Sequence, residues 1–172
     1  MTLAGATSMG KTSVGLAIAD KVAQRGEAVA IISLEMSDQS LASRLISSAS
    51  KVPYQEMRRA SRLSQNQMHE IITNAGSVGQ RPIFIVPPYI RDTVAIHGAV
   101  RAIRAECANR GIRLGLVLLD YLQLVRAPGK GTVERVGNAS TATKGMATQL
   151  DVPVISLAQL NRGISAREDK RP

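Results

Sequence analysis

Gly5-Ala6-Thr7-Ser8-Met9-Gly10-Lys11-Thr12 fills every fixed position of the pattern G-x-x-x-x-G-K-[ST], a turn that cradles phosphate between a strand and a helix. Its context fits. Apolar Met1 to Ala4 precedes it as a strand, and Val14, Ala17, Ile18, Lys21 and Val22 follow at helical spacing, which predicts a helix over Lys11 to Gln24. Glycines let backbone N–H groups converge on phosphate oxygens, and the helix N-terminus adds partial positive charge. Ser8, Met9, Gly10, Lys11, Thr12 and Ser13 are the nucleotide-binding candidates of this turn. Lys11 would neutralise the β and γ phosphates, and the Thr12 hydroxyl would hold Mg²⁺. A glycine-rich turn with a solvated lysine explains neither the spacing nor the Lys-Thr pair.

Further along the chain, short apolar runs alternate with helical patterns. The strand candidates are Val29 to Leu34, Ile83 to Val86, Leu114 to Leu119 and Val154 to Leu157, and the helix candidates are Gln39 to Ser50, Gln65 to Gly76, Thr93 to Asn109 and a weaker one at Glu134 to Leu150. Such alternation predicts an α/β fold with a mostly parallel central sheet flanked by helices. Ser37, Ser64 and Asp92 are the expected N-caps, and Gly26 and Gly111 the C-terminal stops. Arg126-Ala127-Pro128-Gly129-Lys130-Gly131 reads as a mobile surface loop.

A phosphate loop alone does not separate a kinase from a GTPase or a motor ATPase. The other strand ends carry that information. Leu116-Val117-Leu118-Leu119 ends in Asp120, the pattern of a buried strand delivering a carboxylate to a magnesium shell, or of an ordinary strand followed by an Asp turn. Val29 to Leu34 ends in Glu35, either a solvated glutamate at a strand end or a carboxylate at the C-terminal edge of a parallel sheet that faces the ligand crevice, where it can activate a water. Gln159, just past the Val154 strand, can hydrogen-bond a terminal phosphate. Lys11, Glu35 and Gln159 are therefore the catalytic candidates, and Thr12 and Asp120 the metal candidates.

Composition narrows the partners. With 22 Lys and Arg against 13 Asp and Glu, the net charge of +9 favours polyanions such as nucleotides, nucleic acids and acidic membranes. Tyr54, Phe84, Tyr89 and Tyr121 are the whole aromatic complement, too few for a base-stacking platform, so any nucleic-acid contact is mostly to the backbone. No run is long and apolar enough to span a membrane, and no secretory start is present. The single Cys107 forms no internal disulfide and reads as apolar filler in a reducing, cytoplasmic setting. His69 and His97 lack partners at metal spacing, and Met57, Met68 and Met146 read as core or gap-filling residues. Arg58, Arg59, Arg62, Arg101 and Arg104 make basic helix faces.

Ser8-Met9-Gly10-Lys11-Thr12, Ser33-Leu34-Glu35-Met36-Ser37, Asp120-Tyr121-Leu122-Gln123-Leu124, Val152-Pro153-Val154-Ile155, Gln159-Leu160-Asn161-Arg162 and Asp169-Lys170-Arg171-Pro172 together resemble the motor domain of DnaB-type bacterial replicative helicases. The resemblance implies a RecA-like fold in which the Val154 strand lies between the phosphate-loop strand and the Asp120 strand. The Glu35 strand then lies on the far side of Asp120's, with Ile83 to Val86 further out. It also implies ATP and Mg²⁺ as cofactors, with Lys11 and Thr12 as phosphate and magnesium groups, Glu35 as the base for water, Asp120 as the magnesium-shell acid and Gln159 as the γ-phosphate sensor. Arg44 resembles the family arginine near the nucleotide base, or is a surface helix charge. Loops after Asp120 and Gln159 face the central channel of such rings, which makes Arg126, Lys130, Arg135, Arg167 and Lys170 candidate contacts to single-stranded DNA as a group, although a solvated charge is the commoner fate of each surface Arg or Lys taken singly. Partners so implied are single-stranded DNA and identical subunits in a ring, with no membrane.

Family members also carry an N-terminal helical domain, a linker helix and a basic pair reaching a neighbour's ATP site, none of which occurs in residues 1–172. The expectation is a single RecA-like domain, incomplete in its first strand and at its C-terminal end. Because an arginine finger is worth about 10³ to 10⁵ in rate, such a piece should bind nucleotide far better than it hydrolyses it. The readings left open are the helicase motor, another RecA-like ATPase such as a recombinase, and a non-catalytic module that binds nucleotide and interacts with DNA or with an intact helicase.

Overall fold

Val29-Ala30-Ile31-Ile32 is apolar at every position, and such a run is stable as a strand only where both of its faces are covered. In the computed structural model, which describes residues 1–160, it forms the middle of the inner strand β2 (Ala28–Ser33), flanked by a strand on each side. Ala28, Ala30 and Ile32 join one core with Val117, Leu119 and Val154, while Val29 and Ile31 join a second with Leu116, Leu118 and Leu157. The alternation is the two-residue period of a strand, with apolar cover on both sides.

The remaining elements follow in order: β1 (Thr2–Gly5), α1 (Lys11–Ala23), then α2 (Asp38–Ser50), α3 (Tyr54–Met57), α4 (Gln65–Gly79), β3 (Ile83–Val86), α5 (Thr93–Asn109), β4 (Leu114–Asp120), α6 (Thr132–Leu150) and β5 (Val154–Gln159). Tight 3₁₀ turns occupy Ala60–Arg62 and Leu122–Leu124. The five strands form one sheet in the order β1-β5-β4-β2-β3, and every pairing is parallel. This is the order that the helicase resemblance implies.

Helices cover the two faces unequally. Ile96, Val100 and Cys107 of α5 and Ala139, Met146 and Leu150 of α6 fill the first core. Leu16, Ala19 and Ala23 of α1, Leu41 and Leu45 of α2 and Val78 of α4 fill the second. On that side the buried Asp20 carboxylate is paired with Arg81 and accepts a hydrogen bond from Gln24 Nε2 at 2.7 Å, tying α1 to the entrance of β3. Met146 is core, as expected, but Met68 is exposed on the outer face of α4.

Local chemistry sets the helix ends. Ser37 Oγ accepts from the Ser40 N–H, Ser64 and Gln67 form a reciprocal capping box, and Asp92 accepts from the N–H groups of Val94 and Ala95. Gly26 and Gly111, with φ of 83° and 69°, close α1 and α5 in the left-handed region. The basic loop after β4 is more tightly fastened than its Gly and Pro content suggests. Arg126 exchanges main-chain bonds with Arg91 and Thr93, the Pro128 carbonyl accepts from Asn138, and the Lys130 N–H donates to Glu134. Polar side chains of α6 thus contact its middle.

Candidate functional site

In a parallel sheet all strands deliver their C-terminal ends to one edge, and ligands bind in the crevice beyond it. Here that edge gathers residues from β1, β2, β4 and β5. The turn Ala6–Gly10 leaves β1 and enters α1 through two left-handed residues, Ser8 at φ 64° and Gly10 at φ 78°. Gly10 has no Cβ to oppose that conformation, and its carbonyl accepts from the Val14 N–H to start the helix. The Lys11 ammonium rests against the mouth of the turn, donating to the carbonyls of Gly5 at 2.8 Å and Ala6 at 2.6 Å.

Thr12 and Asp120 meet at the centre. Thr12 Oγ1 donates to Asp120 Oδ2 at 2.8 Å. Asp120 is a strand residue paired in register with Ser33, one position beyond the apolar run, so β4 extends further than its hydrophobicity indicates. Burial holds its carboxyl above the usual carboxylate range, outweighing the Thr12 hydrogen bond and the nearby charges of Lys11 and Arg44. Among the described residues there is no cluster of three or more His, Cys, Asp or Glu able to hold a metal. One hydroxyl and one carboxylate oxygen nevertheless suit a magnesium ion, a hard cation that takes one or two protein oxygens and completes its shell with phosphate and water.

Glu35 lies exposed two residues beyond Ser33, at the same edge as Asp120, and the intervening Leu34 N–H donates to the Asp120 carbonyl. Gln159 sits opposite Gly5 in the β1–β5 register, and its Nε2 donates to Thr7 Oγ1 in the turn at 2.8 Å. β5 thus reaches Gln159 rather than stopping at Leu157, because Ala4 and Gly5 pair with its last two residues. Ser13 and Arg44 line one cleft of about 180 Å³ beside α1, with the Arg44 guanidinium 4.9 Å from the centre of the Tyr54 ring. All the nucleotide, metal and catalytic candidates therefore fall at or beside one sheet edge.

Three of the DNA candidates fall among the described residues. Arg126 and Arg135 are exposed and line a second cleft, of about 260 Å³, together with Gln123 and Thr132. Lys130 is exposed in the same loop. Arg167 and Lys170 lie outside the described residues.

Three residues of the site escape sequence reasoning. Thr7 occupies a free position of the loop pattern, yet it receives the Gln159 amide. Tyr54 supplies the ring against Arg44 from the four-residue helix α3, too short to show periodicity. Gln123 bonds both main-chain groups of Gln159, donating from Nε2 to its carbonyl at 2.8 Å and accepting its N–H at 3.2 Å. Its place in the Asp-Tyr-Leu-Gln-Leu string is the one signal available.

Comparisons with known proteins bear on this geometry. The family model described as DnaB-like helicase C terminal domain matches residues 1–172. The replicative DNA helicase DnaB of Nostoc sp. (strain PCC 7120 / SAG 25.82 / UTEX 2576) is 37% identical over 171 residues, which cover 99% of this chain and 19% of that protein. The replicative DNA helicase DnaC of Bacillus subtilis (strain 168) is 37% identical over 176 residues, covering 99% and 37%. Among solved structures, a DnaB-like replicative helicase, described with its interactions with primase, superposes with a TM-score of 0.89 at 30% identity, over 99% of this chain and 42% of that one. A second structure, of an ATPase domain, gives the same TM-score and identity over 99% and 60%. The chain thus spans between about a fifth and two-fifths of the length of these curated relatives. Its fold is RecA-like.

Proposed function

The chain belongs to the DnaB-like helicase C-terminal domain family, and from that premise we propose that it is the ATP-hydrolysing motor domain of a replicative DNA helicase. The observation that carries the reading is the convergence of the Lys11 ammonium, the Thr12–Asp120 pair and the Gln159–Thr7 contact around one turn at one sheet edge. Lys11 exchanges its bonds to the Gly5 and Ala6 carbonyls for the β and γ phosphates of ATP. The backbone N–H groups of residues 8–13 and the start of α1 hold the remaining phosphate charge. Thr12 and Asp120 would hold Mg²⁺, which would neutralise charge on the phosphate oxygens. Glu35 accepts a proton from the attacking water, and Gln159 donates its amide to the γ phosphate in place of Thr7. Arg44 and Tyr54 flank the base.

Single-stranded DNA lies along Arg126, Lys130 and Arg135, held by its phosphates without base readout. Identical subunits complete the assembly in the whole protein. Among the described residues no helix is long and apolar enough to cross a membrane.

Titrating fluorescent ATP into the wild-type chain and into Lys11→Ala tests the reading. Binding that requires Mg²⁺ and is lost in Lys11→Ala is expected, with Glu35→Gln binding normally but turning over more slowly. Equal affinity in Lys11→Ala overturns the site. Normal binding with turnover unaffected by Glu35→Gln favours instead a nucleotide-binding module without this chemistry.

A further inference from the structure

The main chain of Gln159 is gripped from both sides. On one side it pairs with Gly5 of β1, whose carbonyl accepts the following Leu160 N–H at 3.1 Å. On the other, the Cα register between β4 and β5 ends at Leu119 and Ser156, three residues short of Gln159. Beyond it β4 turns away into Leu122–Leu124, and there the Gln123 side-chain amide takes over. It donates to the Gln159 carbonyl and accepts the Gln159 N–H, the two bonds that a neighbouring strand would make. A side chain thereby prolongs the ladder to the residue whose own side chain touches the phosphate turn.

The turn bearing Gln123 has a second attachment. Two residues later Val125 is buried, and Arg126 then bonds the main chain of Arg91 and Thr93 at the start of α5. Gln123, Arg126 and Arg135 line the same cleft. One amide therefore joins the strand end that faces the nucleotide to the turn that leads into the basic loop.

We propose that Gln123 is a positioning residue that couples the nucleotide state read by Gln159 to the segment 122–126, and through it to the phosphate-binding cleft of Arg126 and Arg135. The proposal rests on the nucleotide site described above. When Gln159 leaves Thr7 for a γ phosphate, its main chain moves with it, and a two-bond clamp imposes that movement on the Leu122–Leu124 turn. A diphosphate gives Gln159 no γ oxygen to follow. The turn then keeps its place, so the cleft has two arrangements set by the terminal phosphate.

Amide hydrogen exchange of peptides covering 121–127, measured on the whole 172-residue chain with Mg²⁺ and either a non-hydrolysable ATP analogue or ADP, tests this, with affinities for both nucleotides measured in parallel. In the wild type the two nucleotides should differ by about 5-fold in exchange across this segment, the low end of usual coupling strengths. Gln123→Ala should still bind both nucleotides yet abolish that difference, because the two-bond clamp on Gln159 is gone. Gln123→Glu, which still accepts the Gln159 N–H but donates nothing, should retain part of it. A full difference in Gln123→Ala, or none in a wild type that binds nucleotide, overturns the coupling. So does a Gln123→Ala variant whose nucleotide affinity falls with the difference while Gln123→Glu behaves identically. A wild type that binds no nucleotide overturns the site reading itself, an outcome distinct from the other three.

Discussion

Thr12 and Asp120, 108 positions apart, are joined by a 2.8 Å hydrogen bond between a hydroxyl in the first turn of α1 and the carboxylate that ends β4. The bond fastens the phosphate turn to the sheet centre, and it does so with two oxygens suited to a divalent cation.

Burial is the largest influence on Asp120 and pushes its carboxyl up, so the folded chain keeps this proton to a higher pH than the unfolded chain does. Over that interval the folded state binds more protons, and stability must fall as pH rises from the ordinary carboxylate value through the raised one. Asp120→Asn removes the ionisation. Thermal melts of the nucleotide-free protein should show the variant more stable than wild type at neutral pH, with the gap closing below the ordinary carboxylate value. Its Mg²⁺-dependent nucleotide affinity should drop in the same preparation. A variant less stable at every pH would refute the assignment of a buried, costly charge.

Arg44 stacks on Tyr54 beside the cleft that Ser13 lines. Arg44→Ala should weaken ATP binding about 5-fold, the size of a partly exposed cation–π contact, and leave inorganic tripolyphosphate affinity unchanged. Equal losses for both ligands would assign Arg44 to the phosphates instead of the base.

Arg81 neutralises the buried Asp20 carboxylate between α1 and β3. Arg81→Ala leaves that charge with Gln24 as its remaining side-chain hydrogen-bond partner among the described residues, which should cost about 3 kcal/mol in urea unfolding. Asp20→Asn in the same background should recover part of the loss. Superimposable denaturation curves for wild type and Arg81→Ala would show that the pair contributes nothing.

Cys107 is fully buried on the inner face of α5, and burial raises its thiol pKa despite the opposing charge of Arg110. A disulfide reagent at neutral pH should therefore label the native protein only as fast as α5 opens, and at the free-thiol rate in denaturant. Immediate labelling of the native protein would contradict that packing.

Much of this architecture is legible locally. α5 begins and ends where the sequence places it because Asp92 caps its first turn and Gly111 supplies a left-handed stop. Strand ends are harder to read. Asp120 and Gln159 belong to their strands through pairing with Ser33 and Gly5, and polarity at those positions hides it. α3 and the 60–62 turn are too short to carry a period. Site residues with charged or motif-bound chemistry could be named from the chain, whereas Gln123 binds main-chain atoms 36 positions away and leaves no compositional trace.

The pairing of β1 with β5 also bears on biosynthesis. Thr2 to Gly5 are synthesised before their hydrogen-bonding partners at Ser156 to Gln159, which are made about 150 residues later, a wait on the order of 10 s. Until then the strand that leads into the phosphate turn lacks its β5 partner. Nascent chains shorter than this pairing should thus be unable to capture nucleotide, however complete their Gly-Lys-Thr signature.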